Sequence, residues 1–360
     1  MEKKRLGYLD MVKGVGIFFV VLGHISYISQ SALYWIFSFH MPLFFIVSGF
    51  LIDIKDEPSG KLSETVRKKF RSIIIPYLWF SLAYFIIDIL NIYVFKNADF
   101  NTLTVNLISS VTFYGVSVLW FLPALFLSEV SFMLILKRFG KVPALIIPIV
   151  LATAGYFANL KFFTPLYTAH ADSLLITSLI NFVRVFLRAF VGCVFVSCSY
   201  FIHRLAVKLC ADFDRLSSVK ARVLQFLAGV IMLAANVYVS RLNGGAGMQF
   251  LVLNNLIFYF LAAFLGALGI ILICKALPSV KLIEYYGRNS LIVMACHINF
   301  YILYASLLVA FKAVSYVKYA QHFVFLSVTV IVVFMLCTVV IEVINRFLPF
   351  VLGKTYKKRN

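Results

Sequence analysis

Charge is scarce in this chain, and negative charge is scarcest. Of 360 residues only 13% are Asp, Glu, Lys or Arg, and only 14 are acidic. A soluble domain carries about a quarter of its residues as charges, so little of the chain is left for a water-soluble unit. Long polar stretches, low-complexity tracts and internal repeats are also missing. Their absence removes disordered tails and repeat arrays and leaves no inverted-repeat pattern of the kind carriers show. Six cysteines are scattered without a C-x-x-C pair. That excludes the usual zinc and thiol-redox spacings and makes them buried reduced thiols. No H-E-x-x-H, Walker-type loop or Ser-His-Asp order is evident, so no metal is expected and base catalysis by histidine is favoured over a serine nucleophile.

What is abundant is apolar surface: 62% of residues are hydrophobic and the mean hydropathy is +0.97. A spanning helix needs roughly 20 mostly apolar residues. Ten predicted spans fit, near 8–29, 33–54, 73–95, 115–136, 142–160, 174–202, 223–240, 250–274, 289–311 and 323–345. The net charge of +19 is distributed by side rather than clustered, which argues against nucleic acid as a partner. The N-terminal tail, the even-numbered connections and the C-terminal tail hold 25 of the 33 Lys and Arg, against 5 on the opposite side. Such asymmetry implies an even number of spans with both termini cytoplasmic. The expected fold class is an all-α polytopic membrane bundle, with one transmembrane domain over 1–345 and a basic cytoplasmic tail over 346–360. The first apolar run follows a basic flank, as in a signal peptide. It carries a histidine and lacks an A-x-A-like cleavage site, so it is read as a retained helix.

Ionisable residues inside spans are functional candidates because lipid disfavours them. Lys13 and His24 are eleven residues apart in LDMVKGVGIFFVVLGH. On a helix this is three turns plus roughly 20°, so both project from one face, about 16 Å apart along the axis. Lys13 also has Asp10 at i−3, and snorkelling to headgroups is its plainer role. His40, in FHMPLFFIVSGF, is expected within roughly 3 Å of the depth of His24 on the adjacent antiparallel helix. His297 ends YYGRNSLIVMACH. Each histidine is alternatively a structural residue bonded to a neighbouring helix. Arg184 and Arg188 lie one turn apart on a common face, aimed at a phosphate or carboxylate or paired internally with Glu129 or Asp88. Lys69 and Arg71 belong to a dense basic loop in SETVRKKFRSIIIPY, which either touches anionic lipid or captures phosphates. Trp120, in VLWFLPAL, is by default an interfacial or packing aromatic.

Taken in order, these segments resemble the acyltransferase-3 family of multi-pass membrane O-acyltransferases. LDMVKGVGIFFVVLGH resembles its first-helix motif of a basic residue, ten residues and a histidine. FHMPLFFIVSGF resembles its second-helix motif, and VRKKFRSIIIPYLWF its basic loop leading to a Pro-Tyr third helix. LWFLPALF and YYGRNSLIVMACH are similar to later segments, so the resemblance covers nearly the whole chain. It implies a bacterial inner (plasma) membrane enzyme that transfers an acyl group, usually acetyl from acetyl-CoA, to a hydroxyl of an extracytoplasmic glycan or lipid-linked sugar. It also implies His24 as the catalytic base. Family members often carry Arg where Lys13 stands, so bidentate phosphate contact is lost here. The lysine version and compact length are similar to sugar O-acetylases of the fucose 4-O-acetylase type and to polysaccharide O-succinyltransferase-like proteins.

The resulting expectation is an O-acyltransferase with acetyl-CoA phosphates at Lys69 and Arg71 and Lys13 further in. His40 or His297 would orient His24 or bond the oxyanion. Arg184, Arg188, Trp120 and Asp88 are the candidate acceptor-binding residues. An acyl-histidine intermediate is a variant of the same chemistry. Two other classes remain open on the sequence: a proton-coupled transporter or glycan flippase, and a non-catalytic partner of a polysaccharide synthesis machinery.

Overall fold

The structure, a computed structural model, describes residues 6–210, 218–317 and 319–354. The basic N-terminal residues Lys3, Lys4 and Arg5, together with Lys318 and residues 355–360 of the tail, lie outside the described residues. Among the described residues there is no β-strand, only an isolated bridge between Gly247 and Val252. With no water to satisfy peptide groups in lipid, long apolar segments close their hydrogen bonds internally as helices. The helices are α1 (Gly7–Gly23), α2 (Gln30–Ile54), α3 (Leu62–Tyr93), α4 (Phe100–Val111), α5 (Ser117–Phe139), α6 (Lys141–Ala169) and α7 (Leu174–Cys210). They continue with α8 (Ser218–Asn243), α9 (Leu256–Ala276), α10 (Lys281–Arg288), α11 (Ser290–Cys296), α12 (Ile302–Val314) and α13 (Gln321–Phe347).

Eight of these, α2, α3, α5 to α9 and α13, are long and apolar enough to cross a membrane. The protein is thus a polytopic all-α membrane bundle. The other two predicted spans are helical but differ in a way that matters. α1 stops at Gly23, earlier than the expected residue 29, and His24 occupies its C-terminal cap. The polar turn that follows ends at Ser29, whose hydroxyl caps α2 by accepting from the Ala32 amide. The ninth predicted span, expected to be continuous over 289–311, is broken after Cys296. The chain turns at His297–Tyr301, with Tyr301 in the left-handed region (φ 59°), and the Leu303 amide donates to the His297 carbonyl at 2.8 Å. Non-helical backbone is tolerated at membrane depth where protein surrounds it, and His297 is fully buried.

The third span also begins earlier than expected. The basic segment placed in a loop is helical from Leu62, with Glu64 in its first turn and Arg67, Lys68 and Lys69 in the last turn before a π-turn at Phe70–Ile74. That order of charges suits the helix dipole. Pro76 lacks an amide donor, and the widened turn precedes it.

α2 is the central element: 78% of its apolar window is buried, against 17% for α8. α1 lies beside α2 and is clamped on its other face by α10. A Cβ on Gly14 would come within 2.1 Å of the Ile283 carbonyl oxygen, and one on Gly287 within 1.8 Å of the Asp10 carbonyl oxygen. Only glycine permits this approach, which brings Arg288 next to the Lys13 end of α1. Replacing Gly287 by Leu forces backbone against backbone. We expect it to lower the stability of the detergent-solubilised protein by at least about 1–3 kcal/mol, the usual cost of overpacking, read as a drop in the thermal unfolding midpoint. A midpoint equal to wild type would show that the two helices do not meet there.

Candidate active site

Two of the three intramembrane histidines are placed by helix ends and the third by a helix interior. His24 caps α1, His297 caps α11, and His40 lies in α2, two residues before Pro42. Each ring donates to a backbone carbonyl of the preceding turn. His24 Nδ1 is 2.7 Å from the Val20 oxygen and His40 Nδ1 is 2.8 Å from the Ile36 oxygen. His297 Nδ1 is 2.8 Å from the Met294 oxygen and 3.0 Å from that of Val293. A carbonyl only accepts, so all three neutral rings carry their proton on Nδ1 and present a lone pair at Nε2. His297 Nε2 lies 3.4 Å from His24 Nδ1 and accepts a second, longer branch of that N–H. The two rings meet edge to face with centroids 5.1 Å apart. The carbonyl of Val20 and the imidazole of His297 therefore orient His24, with no carboxylate involved.

His24 and His40 open onto one cavity of about 410 Å³. Its walls include Gln30, Tyr34, Phe37 and Trp120, and it is roofed by the turn Gly245–Phe250. The Asn254 side chain bonds the Asn243 and Gly245 carbonyls and holds the roof in place. Because Nε2 of both His40 and His297 is an acceptor in this state, neither neutral ring can donate to an oxyanion. The other N–H side chains on the wall are Gln30, Gln249 and Trp120.

Toward the lysine-rich end of the bundle lies a second cavity of about 390 Å³, lined by Lys13, Lys69, Arg288, Glu129, Ser48 and apolar side chains. Its cations are each paired. Lys13 Nζ is 2.7 Å from Asp10, as the i−3 spacing allows. Lys69 bridges Glu57 at 3.1 Å and Glu129 at 3.0 Å. Arg288 holds Glu284 at 3.0 Å. Ser48 hydrogen-bonds Glu129. Lys69 and Ser72 also belong to a third, polar cavity of about 380 Å³ with Lys55, Lys61 and Lys68. Burial and the nearby Lys69 charge hold the Lys55 amine below the usual lysine range, although Glu57 and Glu129 oppose this. An added anion is favoured there.

The remaining sequence candidates sit elsewhere. Arg71 is exposed and lines none of these cavities. Arg184 bonds Asn159, Asn181 and Thr164 and lies over Tyr167. Arg188, only 1% exposed, donates to the Tyr114 carbonyl at 2.9 Å, while its Nε and Nη2 have no hydrogen-bond partner. Its guanidinium stacks over Tyr114 at 4.1 Å and Trp120 at 5.6 Å. Neither arginine pairs with Glu129 or Asp88, the acidic partners the sequence offered. Asp88 accepts from Asn106 at 2.9 Å in a separate crevice of about 290 Å³ between α3 and α4. Arg188 thus reaches the histidine cavity only through Trp120. Glu129 and Arg288 emerged from the structure as cavity-lining groups. A carboxylate within an apolar run was the available signal for Glu129, and Arg288 stands nine residues before His297 much as Lys13 precedes His24.

Helices enclosing clustered histidines next to a lysine-lined chamber define a multi-pass membrane protein with polar cavities among its helices. A protein-family model described as an acyltransferase domain, that of the acyltransferase-3 family, matches residues 6–344. The chain belongs to that family, whose members are membrane acyltransferases. No curated protein and no solved structure matches it.

The tautomers are open to direct measurement. Histidine-selective 15N NMR at neutral pH is expected to give His24, assigned by its loss in His24→Gln, a protonated Nδ1 and an unprotonated Nε2. The opposite pattern would remove the Val20 carbonyl as its anchor.

Proposed function

We propose that this protein is an O-acetyltransferase that takes acetyl from cytoplasmic acetyl-CoA and esterifies a hydroxyl of an extracytoplasmic glycan or lipid-linked sugar. One observation carries the reading. The oriented His24 and the paired cations Lys13, Lys69 and Arg288 stand on two cavities whose walls meet. The three cavities succeed one another through shared wall residues, from the lysine-rich polar chamber to the histidines. The phosphates of the donor belong with Lys55, Lys61, Lys68 and Lys69, and the pantetheine arm follows the mostly apolar inner cavity past Lys13. The positive-inside charge pattern assigns that end to the cytoplasm. The domain runs over 1–345 in a bacterial inner membrane, and a glycan-synthesis machinery supplies the acceptor.

In the reaction, His24 Nε2 removes the proton of the acceptor hydroxyl while that oxygen attacks the thioester carbonyl. The tetrahedral intermediate collapses with cleavage of the C–S bond. The imidazolium returns its proton to the departing CoA thiolate, leaving an ester and CoA-SH. His297 holds the His24 ring through its Nδ1–H, and His40 Nε2 accepts a hydrogen bond from the acceptor. Donors to the developing oxyanion come from Gln30, Gln249 or Trp120, the last held by Arg188. This assigns the arginine a positioning role through the indole. Glycan chemistry is supported by the aromatic faces of Tyr34, Phe37 and Trp120 beside polar Gln30 and Gln249.

Labelled acetyl-CoA supplied to inside-out membrane vesicles of the producing cell tests this. His24→Ala is expected to lower acetyl transfer to glycan by about 10²–10⁴, the worth of a general base. Lys13→Ala is expected to raise the KM for acetyl-CoA with a smaller effect on kcat. Full transfer by a folded His24→Ala protein would refute the assignment, and glycan flux independent of CoA would favour a carrier.

A further inference from the structure

Three residues belong to the walls of both the inner and the outer cavity: Val20, Met41 and Met294. They come from α1, α2 and α11, and all are buried, at 1%, 9% and 5% exposure. Each stands beside one of the histidines. Val20 supplies the carbonyl that anchors His24, Met41 follows His40, and Met294 supplies a carbonyl that anchors His297. The register places all three on the lysine-rich side of the rings. α1 and α11 run from Lys13 and Ser290 toward their histidines, and α2 runs back from His40 toward Lys55. Val20 and Met294 are therefore about one helical turn, roughly 5 Å, inward of His24 and His297.

We infer that Val20, Met41 and Met294 form the constriction that admits the acyl end of the thioester to His24 and sets the length of acyl group transferred. This rests on the acyltransferase reading and specifies it. Val20, Met41 and Met294 are the residues common to both linings, so passage from the lysine-lined chamber to the imidazoles is assigned to the gap between them. Its three sides differ mechanically. Val20 is β-branched and held in one rotamer on a helix. The two methionines are unbranched and repack readily. The ring thus yields to a thioester pushed through it and closes behind it. An acetyl carbonyl clears it with one methyl group, whereas each added methylene must find room among buried side chains. A methylene in such a pocket is worth about 10–200-fold in specificity. The same apolar ring separates the lysine-lined inner chamber from the reacting carbonyl, which limits attack by water when no acceptor is present.

The test compares acetyl-CoA with butyryl-CoA in vesicles containing the native acceptor, and CoA release in proteoliposomes containing none. Met41→Ala and Met294→Ala are each expected to raise the butyryl-to-acetyl ratio of kcat/KM by about 10-fold. Both are also expected to increase acceptor-free CoA release. Met294→Leu, which keeps the volume, should remain within about twofold of wild type. Met294→Phe should lower the butyryl-to-acetyl ratio. Should an alanine variant not fold, the valine variant at the same position gives the same comparison. Folded variants with an unchanged ratio and unchanged CoA release overturn the constriction alone. A wild-type protein that cleaves neither thioester overturns the acyltransferase reading and the constriction with it.

Discussion

An imidazole inside a lipid-embedded bundle cannot leave a ring N–H without a partner, because an unmet donor in an apolar surrounding costs about 1–3 kcal/mol or more. Here that constraint is met in the same way three times, by a carbonyl one turn back on the same helix. Everything distinctive about the site depends on it. The bond selects the tautomer, the tautomer leaves Nε2 with a lone pair, and the lone pair is what a base needs. The ends of α1 and α11 bring two of these rings into contact, so the His24 N–H is shared between the Val20 carbonyl and His297 Nε2. No carboxylate is required for that orientation, and an apolar surrounding disfavours one.

The cations obey a second form of the same rule. Lys13 and Lys69 are half-buried, Arg288 is exposed, and none is left alone: Asp10, Glu57, Glu129 and Glu284 neutralise them. Removing one partner from such a pair leaves an uncompensated charge. The inner chamber is thus kept charge-balanced and stable in the absence of a bound anion. An incoming phosphate competes for lysines that are already ordered, which reduces the entropy lost on binding. Arg188 is the contrast. It is held by the faces of Tyr114 and Trp120 and by one carbonyl, with two nitrogens left over. A cation–π stack at such a buried position contributes about 2 kcal/mol and fixes the indole on the wall of the histidine cavity.

Much of this was legible in the sequence, for definite reasons. Among the described residues hydropathy alone located the eight helices long and apolar enough to cross a membrane, since lipid leaves the backbone no other way to satisfy its peptide groups. The i, i+11 spacing of Lys13 and His24 singles both out as ionisable residues of the first apolar run, while the structure sets them on two adjoining cavities. The i−3 pairing of Lys13 with Asp10 was readable from helical periodicity. What escaped was the end of α1 at Gly23 and the break at His297–Tyr301. Both are short segments in which Ile25, Ile28, Ile298 and Phe300 still stand among the polar residues, so a window of about 20 residues averages over them. The charge density of the basic 62–71 segment points to a solvated loop, yet the segment is helical. Its helix comes from charges ordered along the dipole and from the π-turn before Pro76.

The sequence by itself determined the architecture, the side that carries the positive charge and the short list of ionisable residues that lipid tolerates only for a reason. These are properties of segments in a solvent of low polarity, and each can be summed along the chain. Only the tertiary structure decided which of those residues meet. It brought His297 to His24 and turned Arg184 and Arg188 away from the carboxylates. It gave Lys69 two glutamates, left Arg71 at the surface and set Val20, Met41 and Met294 around one opening. Those outcomes depend on helix crossings such as Gly14 against Gly287, where backbones touch. The energy of a crossing belongs to two distant segments jointly, so it is written in neither one.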